Sequence, residues 1–282
     1  MISVVIAAHN EEAVIGRCLD AILRDDHGDD LDITVVANGC TDRTAEVAAQ
    51  RPGVRVLDLA AAGKPGALNA GDAVAVGFPR VYLDADVVLS AGAIPALVAA
   101  LDTRLAVVPR RILDVTARPM MVRGFYAINA RLPVYRDALF GRGAIALSEA
   151  GRARFDEFPA LTADDLFLDS LFAPGERVEV PSVTSRVATP MKTRDLVRRL
   201  ARVRAGNAVL RRTSGPAVRS SVRSSWLRDV VLPHPWLAPA AACYVGLVAA
   251  AELRARRTRG STVEWGRDES SRQNDSVRTG HV

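Results

Sequence analysis

"RVYLDADVVLS", residues 80–90, is the stretch that decides how this chain is read. Val81, Tyr82 and Leu83 form an apolar run of strand length, Val87, Val88 and Leu89 form a second, and two carboxylates, Asp84 and Asp86, stand between them. A carboxylate is costly to desolvate and stays in apolar surroundings only with a partner. Hard oxygen ligands at i and i+2 suit Mg²⁺ or Mn²⁺, ions that also bind phosphate oxygens. An N-cap followed by a turn aspartate would account for the same letters.

The residues before this stretch alternate between two periods. Ser3 to Ala8, Ile33 to Ala37, Val54 to Leu57 and Arg80 to Leu83 read as strands. Helical spacing runs through Val14, Ile15, Cys18, Leu19, Ile22 and Leu23 within Glu11 to Arg24, from a cap at Thr41 or Asp42 through Gln50, over Pro65 to Val76 and over Ala91 to Leu101. Such β-α-β alternation predicts a mostly parallel sheet covered by helices on both faces, and sheets of that kind bind ligands beyond the carboxyl ends of their strands. His9-Asn10-Glu11-Glu12, Asn38-Gly39-Cys40-Thr41-Asp42 and Asp84-Ala85-Asp86 all follow strands, so three polar clusters are expected on one edge.

The chain has 282 residues, 49% of them hydrophobic and only 5% aromatic, so its core is expected to be of Ala, Val and Leu. Cys18, Cys40 and Cys243 show neither paired nor metal-ligand spacing, which points to a reducing compartment. The N-terminus is an apolar strand followed at once by polar residues, unlike a signal peptide. A net charge of +5 suits phosphorylated small molecules, nucleic acid or an anionic membrane.

From 104 to 190 the pattern is less regular: a strand over Ala106 to Ile112, a helix over Met121 to Arg131, a short strand over Ala144 to Leu147 and a helix over Ala163 to Phe172. Between Lys192 and Arg223 ten Lys or Arg stand against one acid, Asp195, without any aromatic residue to stack a base. Nucleic acid is therefore not an expected partner; an anionic membrane surface is. Val230 to Ala251 carries no formal charge over 22 residues, but Pro233, Pro235 and Pro239 leave only Ala240 to Ala251 as an uninterrupted helix. Arginines on both sides give no inside bias, so a segment packed on the domain or lying at the membrane surface is preferred to a span. The polar stretch from Arg254 is expected to be a disordered tail. His27, His234 and His281 join no constellation.

Two further motifs carry chemistry. "GKPGALNAG", residues 63–71, opens a helix with Lys64 near its start, where free N–H groups and the helix dipole favour anions. The order of a Walker A loop is absent, as is a Gly-x-Gly-x-x-Gly after the first strand. "LTADDLFLD", 161–169, places Asp164 and Asp165 at a helix start, where a carboxylate can serve as general base or merely offset the dipole.

In order and spacing, "VVIAAHNEE", "VVANGCTDRT", "GKPGALNAG" and "VYLDADV" resemble the family 2 glycosyltransferases with a GT-A fold. The likeness is specific over 2–102, looser to about 206, and nearest the polysaccharide-synthase branch. It implies an α/β, Rossmann-like GT-A domain over 1–190, split into a nucleotide-sugar half (1–102) and an acceptor half (103–190). A basic helical and apolar extension (191–253) and the tail (254–282) would follow.

The resemblance also assigns roles. Ala8, His9, Asn10 and Glu12 match the loop that contacts base and ribose. Asn38 and Asp42 match the second nucleotide loop, although Ala37 stands where the family more often has an acid. Lys64 matches a basic residue near the nucleotide; Asp84, Ala85 and Asp86 match the Asp-x-Asp that holds the ribose and, through Mn²⁺ or Mg²⁺, the diphosphate. Asp165 matches the aspartate taken as base, with Asp164 as the alternative. Gly141-Arg142-Gly143-Ala144 resembles the segment lining the acceptor side. Arg202, with Arg199, resembles the arginine region of the processive synthases, where fork-shaped guanidinium groups suit a departing diphosphate; Val203 replaces the Trp there.

The function implied is an inverting, metal-dependent transferase moving a sugar from a nucleotide-sugar, UDP-sugar by default, to a glycan, lipid-linked or small-metabolite hydroxyl. It would be cytoplasmic, peripheral at the inner face of the cell membrane, and serve cell-envelope polysaccharide synthesis. A nucleotidyltransferase with the same carboxylates and a non-catalytic membrane-surface scaffold are the rival readings.

Overall fold

Predominantly apolar runs give the parallel strands β1 (Ile2–Ala8), β2 (Leu31–Asn38), β3 (Val54–Leu59) and β4 (Arg80–Asp84). The computed structural model describes residues 1–25, 30–136, 138–160, 164–213 and 224–257, without the side chains of 209–213 and 257. The strands align in parallel as β3-β2-β1-β4, with Val5 opposite Thr34 and Tyr82. Helices α1 (Ile15–Leu23), α2 (Thr44–Ala49) and α3 (Lys64–Val74) connect them. Alternate residues point to opposite faces of a strand. Both rows are buried, Val5 and Val36 on the face that meets Gly71 of α3, Val4, Ile6, Ile33 and Val35 on the other.

Beyond β4 the sheet continues with strands from the less regular middle: β5 (Val88–Leu89), β6 (Ala106–Asp114), β7 (Ala144–Leu147) and β8 (Arg177–Ala188), in the full order β3-β2-β1-β4-β7-β6-β8-β5. β7 runs antiparallel to both β4 and β6, and β5 antiparallel to β8. Helices α4 (Ala93–Ala100), α5 (Met120–Asn129), α6 (Glu149–Arg152) and α7 (Asp164–Ser170) lie between. After β8 come α8 (Thr193–Thr213) and α9 (Ala238–Arg257). This is the expected α/β architecture with a C-terminal helical extension.

Three expectations change in detail. The helix expected from Glu11 starts at Ile15, because the N–H groups of Glu11 and Glu12 donate instead to Thr44 Oγ1 at 2.7 Å and Asp42 Oδ2 at 3.1 Å. The twelve residues of β8 were not anticipated. Helix α9 begins before Pro239 rather than after it, since a proline in the first helical turn has no needed N–H to lose. The expected tail beyond 257, the basic residues 214–223, Ala163, His27 and His281 lie outside the described residues.

The chain divides into two compact units, Met1–Ile112 with Asp137–Val187, and Leu113–Arg136 with Ala188–Val282. Residues 113–136, expected in the acceptor half, thus pack with the C-terminal segment. In the first unit Val5, Leu68, Tyr82, Ile145, Leu147 and Phe158 share one core. In the second, α5 meets α8 and α9 through Val122, Phe125, Leu196 and Leu247, with Phe125 stacked on Tyr244 at 5.3 Å. Gly124 makes that approach feasible, because a Cβ there would stand 2.9 Å from Cys243.

Candidate active site

The loops after β1 and β2 are tied to each other by side chains acting on backbone. Asn10, at φ 52°, turns its Oδ1 to the N–H of Thr41 at 2.7 Å. His9 meets the carbonyl of Asn38, and Glu12 accepts from the N–H of Arg43 at 3.0 Å. Asn38 is buried: its Nδ2 donates to Ala8 O at 2.7 Å, and its Oδ1 accepts from the N–H of Gly63, just before α3, at 3.0 Å. Ala8 and Asn38, both expected to touch the nucleotide, therefore lie beneath the surface and shape it from below. His9 and Asp42 are half-buried and Glu12 is exposed. Asp42 accepts from the N–H of Thr44 at 3.1 Å, but the cap of α2 is Arg43 rather than the Thr41 or Asp42 expected.

The antiparallel insertion of β7 beside β4 closes a solvent-open cleft of about 390 Å³ over the carboxyl end of β4. Lys64, Asp84, Asp164 and Asp165 line it above an apolar floor that includes Leu68, Tyr82, Leu139 and Phe158. Lys64 Nζ lies 2.6 Å from Asp84 and 2.8 Å from Asp164, with the three side chains 26%, 41% and 15% exposed. The partner found opposite Asp84 is thus an ammonium. Burial works against the charge on Lys64, but Asp164 and Asp84 outweigh it and hold its pKa well above the ordinary lysine value.

Asp165 is in a different electrostatic state. Its Oδ2 accepts from the N–H of Gly141 at 2.9 Å and its Oδ1 from that of Leu166 at 2.8 Å. Burial pushes its pKa up to about 6, the charge of Asp164 adds to the rise, and Lys64 and the Gly141 N–H oppose it.

The turn Gly141-Arg142-Gly143 joins the two ends of the cleft. While Gly141 holds Asp165, the carbonyl of Gly143 accepts from the N–H of Asp84 at 2.8 Å. Gly143 has φ 71°, and a Cβ would fall 2.3 Å from Val87, so a glycine is required. Arg142 is buried and pairs with Glu179 of β8, Ser185 donates to the Arg142 carbonyl at 2.7 Å, and Arg111 donates to that of Gly141 at 3.3 Å. These supports escaped the sequence reading because β8 did. The alternation of Val183, Ser185 and Val187 with Thr184 and Arg186 was the available signal, and Pro181 with the out-of-phase Val178 and Val180 obscured it.

Among the described residues no three His, Cys, Asp or Glu side chains gather in a metal-binding cluster. A Mg²⁺ or Mn²⁺ ion completed by substrate phosphates needs only one or two carboxylates; Asp84, engaged by Lys64 here, and Asp86 are the pair that could supply them. Ala85 between them is buried. Burial, then the charges of Asp86, Asp84 and Glu11, push the Cys18 thiol up, which makes it an inert neighbour of that strand end. Cys40 is a loop residue whose Sγ accepts from the Asn10 N–H at 3.3 Å. Arg199 and Arg202 are carried by α8 in the second unit, where Arg199 donates to Ala188 O at 3.4 Å.

The parallel sheet edge bears these loops, and Asp84 faces the pair Asp164 and Asp165 across one cleft. Residues 3–132 match the sequence model of the family described as Glycosyl transferase family 2. The mannosyltransferase PcManGT from Pyrobaculum calidifontis, solved with GDP-Man and Mn²⁺, superposes with a TM-score of 0.60 at 23% identity, over 93% of this chain and 76% of its own. Glucosyl-3-phosphoglycerate synthase from Mycobacterium tuberculosis, solved with Mg²⁺ and UDP, gives 0.53 at 23% identity over 77% and 80%. TarS 1-349 from S. aureus, solved with UDP-GlcNAc, gives 0.53 at 13% over 91% of each chain. No curated protein matches the chain. At such identities the likeness establishes the fold, which is the GT-A fold that the motifs implied.

Proposed function

We propose that this protein is an inverting glycosyltransferase that moves a sugar from a nucleotide-sugar to a hydroxyl of a glycan, lipid-linked or small-molecule acceptor. The observation that carries the reading is the meeting of Asp84, Lys64, Asp164 and Asp165 in one cleft at the carboxyl end of β4. The base and ribose would lie against His9, Asn10, Glu12 and Asp42. Lys64 would share its charge with the diphosphate, whose metal ion, Mn²⁺ or Mg²⁺, would be held by Asp86 and Asp84 and would offset phosphate charge. Arg199 and Arg202 keep a part in receiving the diphosphate by resemblance alone. UDP is the default nucleotide on the same ground, and the cytoplasmic, membrane-peripheral setting goes with it.

In the transfer, Asp165 takes the proton of the acceptor hydroxyl as that oxygen forms its bond to C1 of the sugar. The C1–O bond to the diphosphate breaks on the opposite face, and the nucleoside diphosphate leaves with the electron pair. A carboxylate with a pKa near 6 suits this, being ionised at neutral pH yet more basic than an ordinary aspartate. Asp164, paired with Lys64 at 2.8 Å, would keep the ammonium in position rather than carry the proton.

The test is a screen of UDP-, GDP- and dTDP-sugars with Mn²⁺, followed on the best donor by two variants. Asp86→Ala should lose metal-dependent donor binding. Asp165→Asn should bind donor as before and lose transfer by ~10²–10⁴-fold. Full transfer by Asp165→Asn would remove the proposed base, and release of pyrophosphate instead of a nucleoside diphosphate would replace the reaction by nucleotidyl transfer. If no nucleotide-sugar raises the melting temperature, the scaffold reading takes over.

A further inference from the structure

A helix that is apolar all round is normally buried all round, and α9 departs from that rule. Residues 232–251 contain no Asp, Glu, Lys or Arg. On its inner side Ala241, Leu247 and Ala251 are buried, and Leu247 meets Val122 and Phe125 of α5. On its outer side Ala242, Val245, Gly246, Ala249, Ala250 and Leu253 are all exposed, at the i, i+3, i+4, i+7, i+8 spacing of one helix face. Leu232 and Trp236, just ahead of the helix, are 65% and 72% exposed. Every exposed residue from 232 to 250 is thus apolar, and the stripe from Ala242 to Leu253 runs roughly 17 Å at 1.5 Å per residue. Patches of this kind mark docking surfaces.

What covers it follows from three features. The stripe offers no hydrogen-bonding side chain and no large anchor along the helix, whereas protein interfaces place polar partners and aromatic or Arg anchors at their centre; hydrocarbon requires neither. Its ends carry exposed arginines, Arg228 before it and Arg254 and Arg256 after it, with Arg131 and Arg136 exposed beside the apolar cluster that holds Leu132 and Val231. Asp229 and Glu252 are the nearby acids, paired with Arg228 and Arg256, so five arginines stand against two carboxylates. The third feature is Trp236, an indole at the edge of the stripe, the position such rings favour between headgroup and acyl chain.

We propose that this face lies flat on an anionic phospholipid surface, with the outer side of α9, Leu232 and Trp236 at the acyl boundary and the arginines on the headgroup phosphates. The helix is long and apolar enough to cross a bilayer by length and composition. Crossing would, however, carry its buried side out of contact with α5 and α8, or drag the exposed Arg194 and Arg198 of α8 into hydrocarbon. The inference stands on the second unit alone and does not depend on the reaction assigned to the first.

The full chain, checked for its oligomeric state, is floated with vesicles of phosphatidylcholine alone or with equimolar phosphatidylglycerol. Binding is expected to the anionic vesicles, to weaken as salt screens the headgroups, and to shift Trp236 emission to the blue. Leu232→Ser with Trp236→Ser should cut partitioning on the order of tenfold or more without changing the melting temperature. Absence of binding to either vesicle, or binding indifferent to the double substitution, overturns the proposal. So does a dimer that the same substitutions dissolve, which would give the face to a second copy. Resistance to a high-salt alkaline wash would overturn the flat orientation in favour of a span.

Discussion

In β1, β2 and β4 the valines and isoleucines from Val4 onward are buried on both faces, and the polar clusters His9-Asn10, Asn38-Gly39 and Asp84-Ala85-Asp86 stand where the strands end. Over 232–250 residues just as apolar leave half of their surface in solvent. Hydrophobic content is common to both regions; what separates them is whether neighbouring elements close over the second face. In the sheet the closure is complete, so the polar ends become the addressable surface. In α9 it is half made, so the apolar side itself is addressable.

The contrast breaks first, and by most, in the buried part of the first unit. Asp169 and Arg177 are fully buried and paired at 2.7 Å, and Asp169 also accepts from the N–H of Leu139 at 2.8 Å. Asp169→Ala leaves a guanidinium without its counter-charge and should cost about 3–5 kcal/mol in urea unfolding. An effect below 1 kcal/mol, on the order of an exposed pair, would mean water reaches that layer.

Next in size are changes to the cleft charges, whose effects should have opposite signs. Asp164→Asn removes a charge that raises the Asp165 pKa, so the acid limb of the rate should move below pH 6. Lys64→Met removes a charge that lowers it, so the limb, and the Asp165 carboxyl resonance followed by NMR, should move above pH 6. Shifts of the same sign would show that the limb belongs to another group.

The same carboxyl predicts a pH effect on stability. Its folded pKa, about 6, exceeds the ordinary 3.8, so the folded state binds the proton more tightly. That contribution is complete below 3.8 and is lost as pH rises through 6. Asp165→Asn should therefore gain stability over the parent protein as pH is raised across this window, and a constant difference would contradict the raised pKa.

The smallest effect is expected at the exposed stripe. Val245→Ser should change unfolding free energy by no more than about 0.5 kcal/mol. A larger loss would mean that the face is already covered within the chain.

The strands β1, β2 and β4 and the loops behind them were legible because each is a continuous local signal: an apolar run, then His9-Asn10, Asn38-Gly39 or Asp84-Ala85-Asp86. Lys64 and the acidic pair were legible separately, but the ion pairs joining Lys64 to Asp84 and Asp164 were not. They depend on β7 entering antiparallel beside β4 and on the Gly141–Gly143 turn it carries, contacts between residues 20 to 100 positions apart. β8 was hidden for a local reason, Pro181 and alternating charges in a strand whose partners come from far along the chain. For α9 the composition was plain, but composition does not say which side α5 and α8 would cover.

One buried amide ties much of this together. Asn38 reaches from the last residue of β1 to the residue that precedes α3. On the proposed reading, the wall on the base side and the lysine on the phosphate side are therefore joined through this one side chain. Asn38→Ala should cut that linkage while leaving Glu12, Asp42 and Lys64 in place, loosening the grip on both ends of a nucleotide at once.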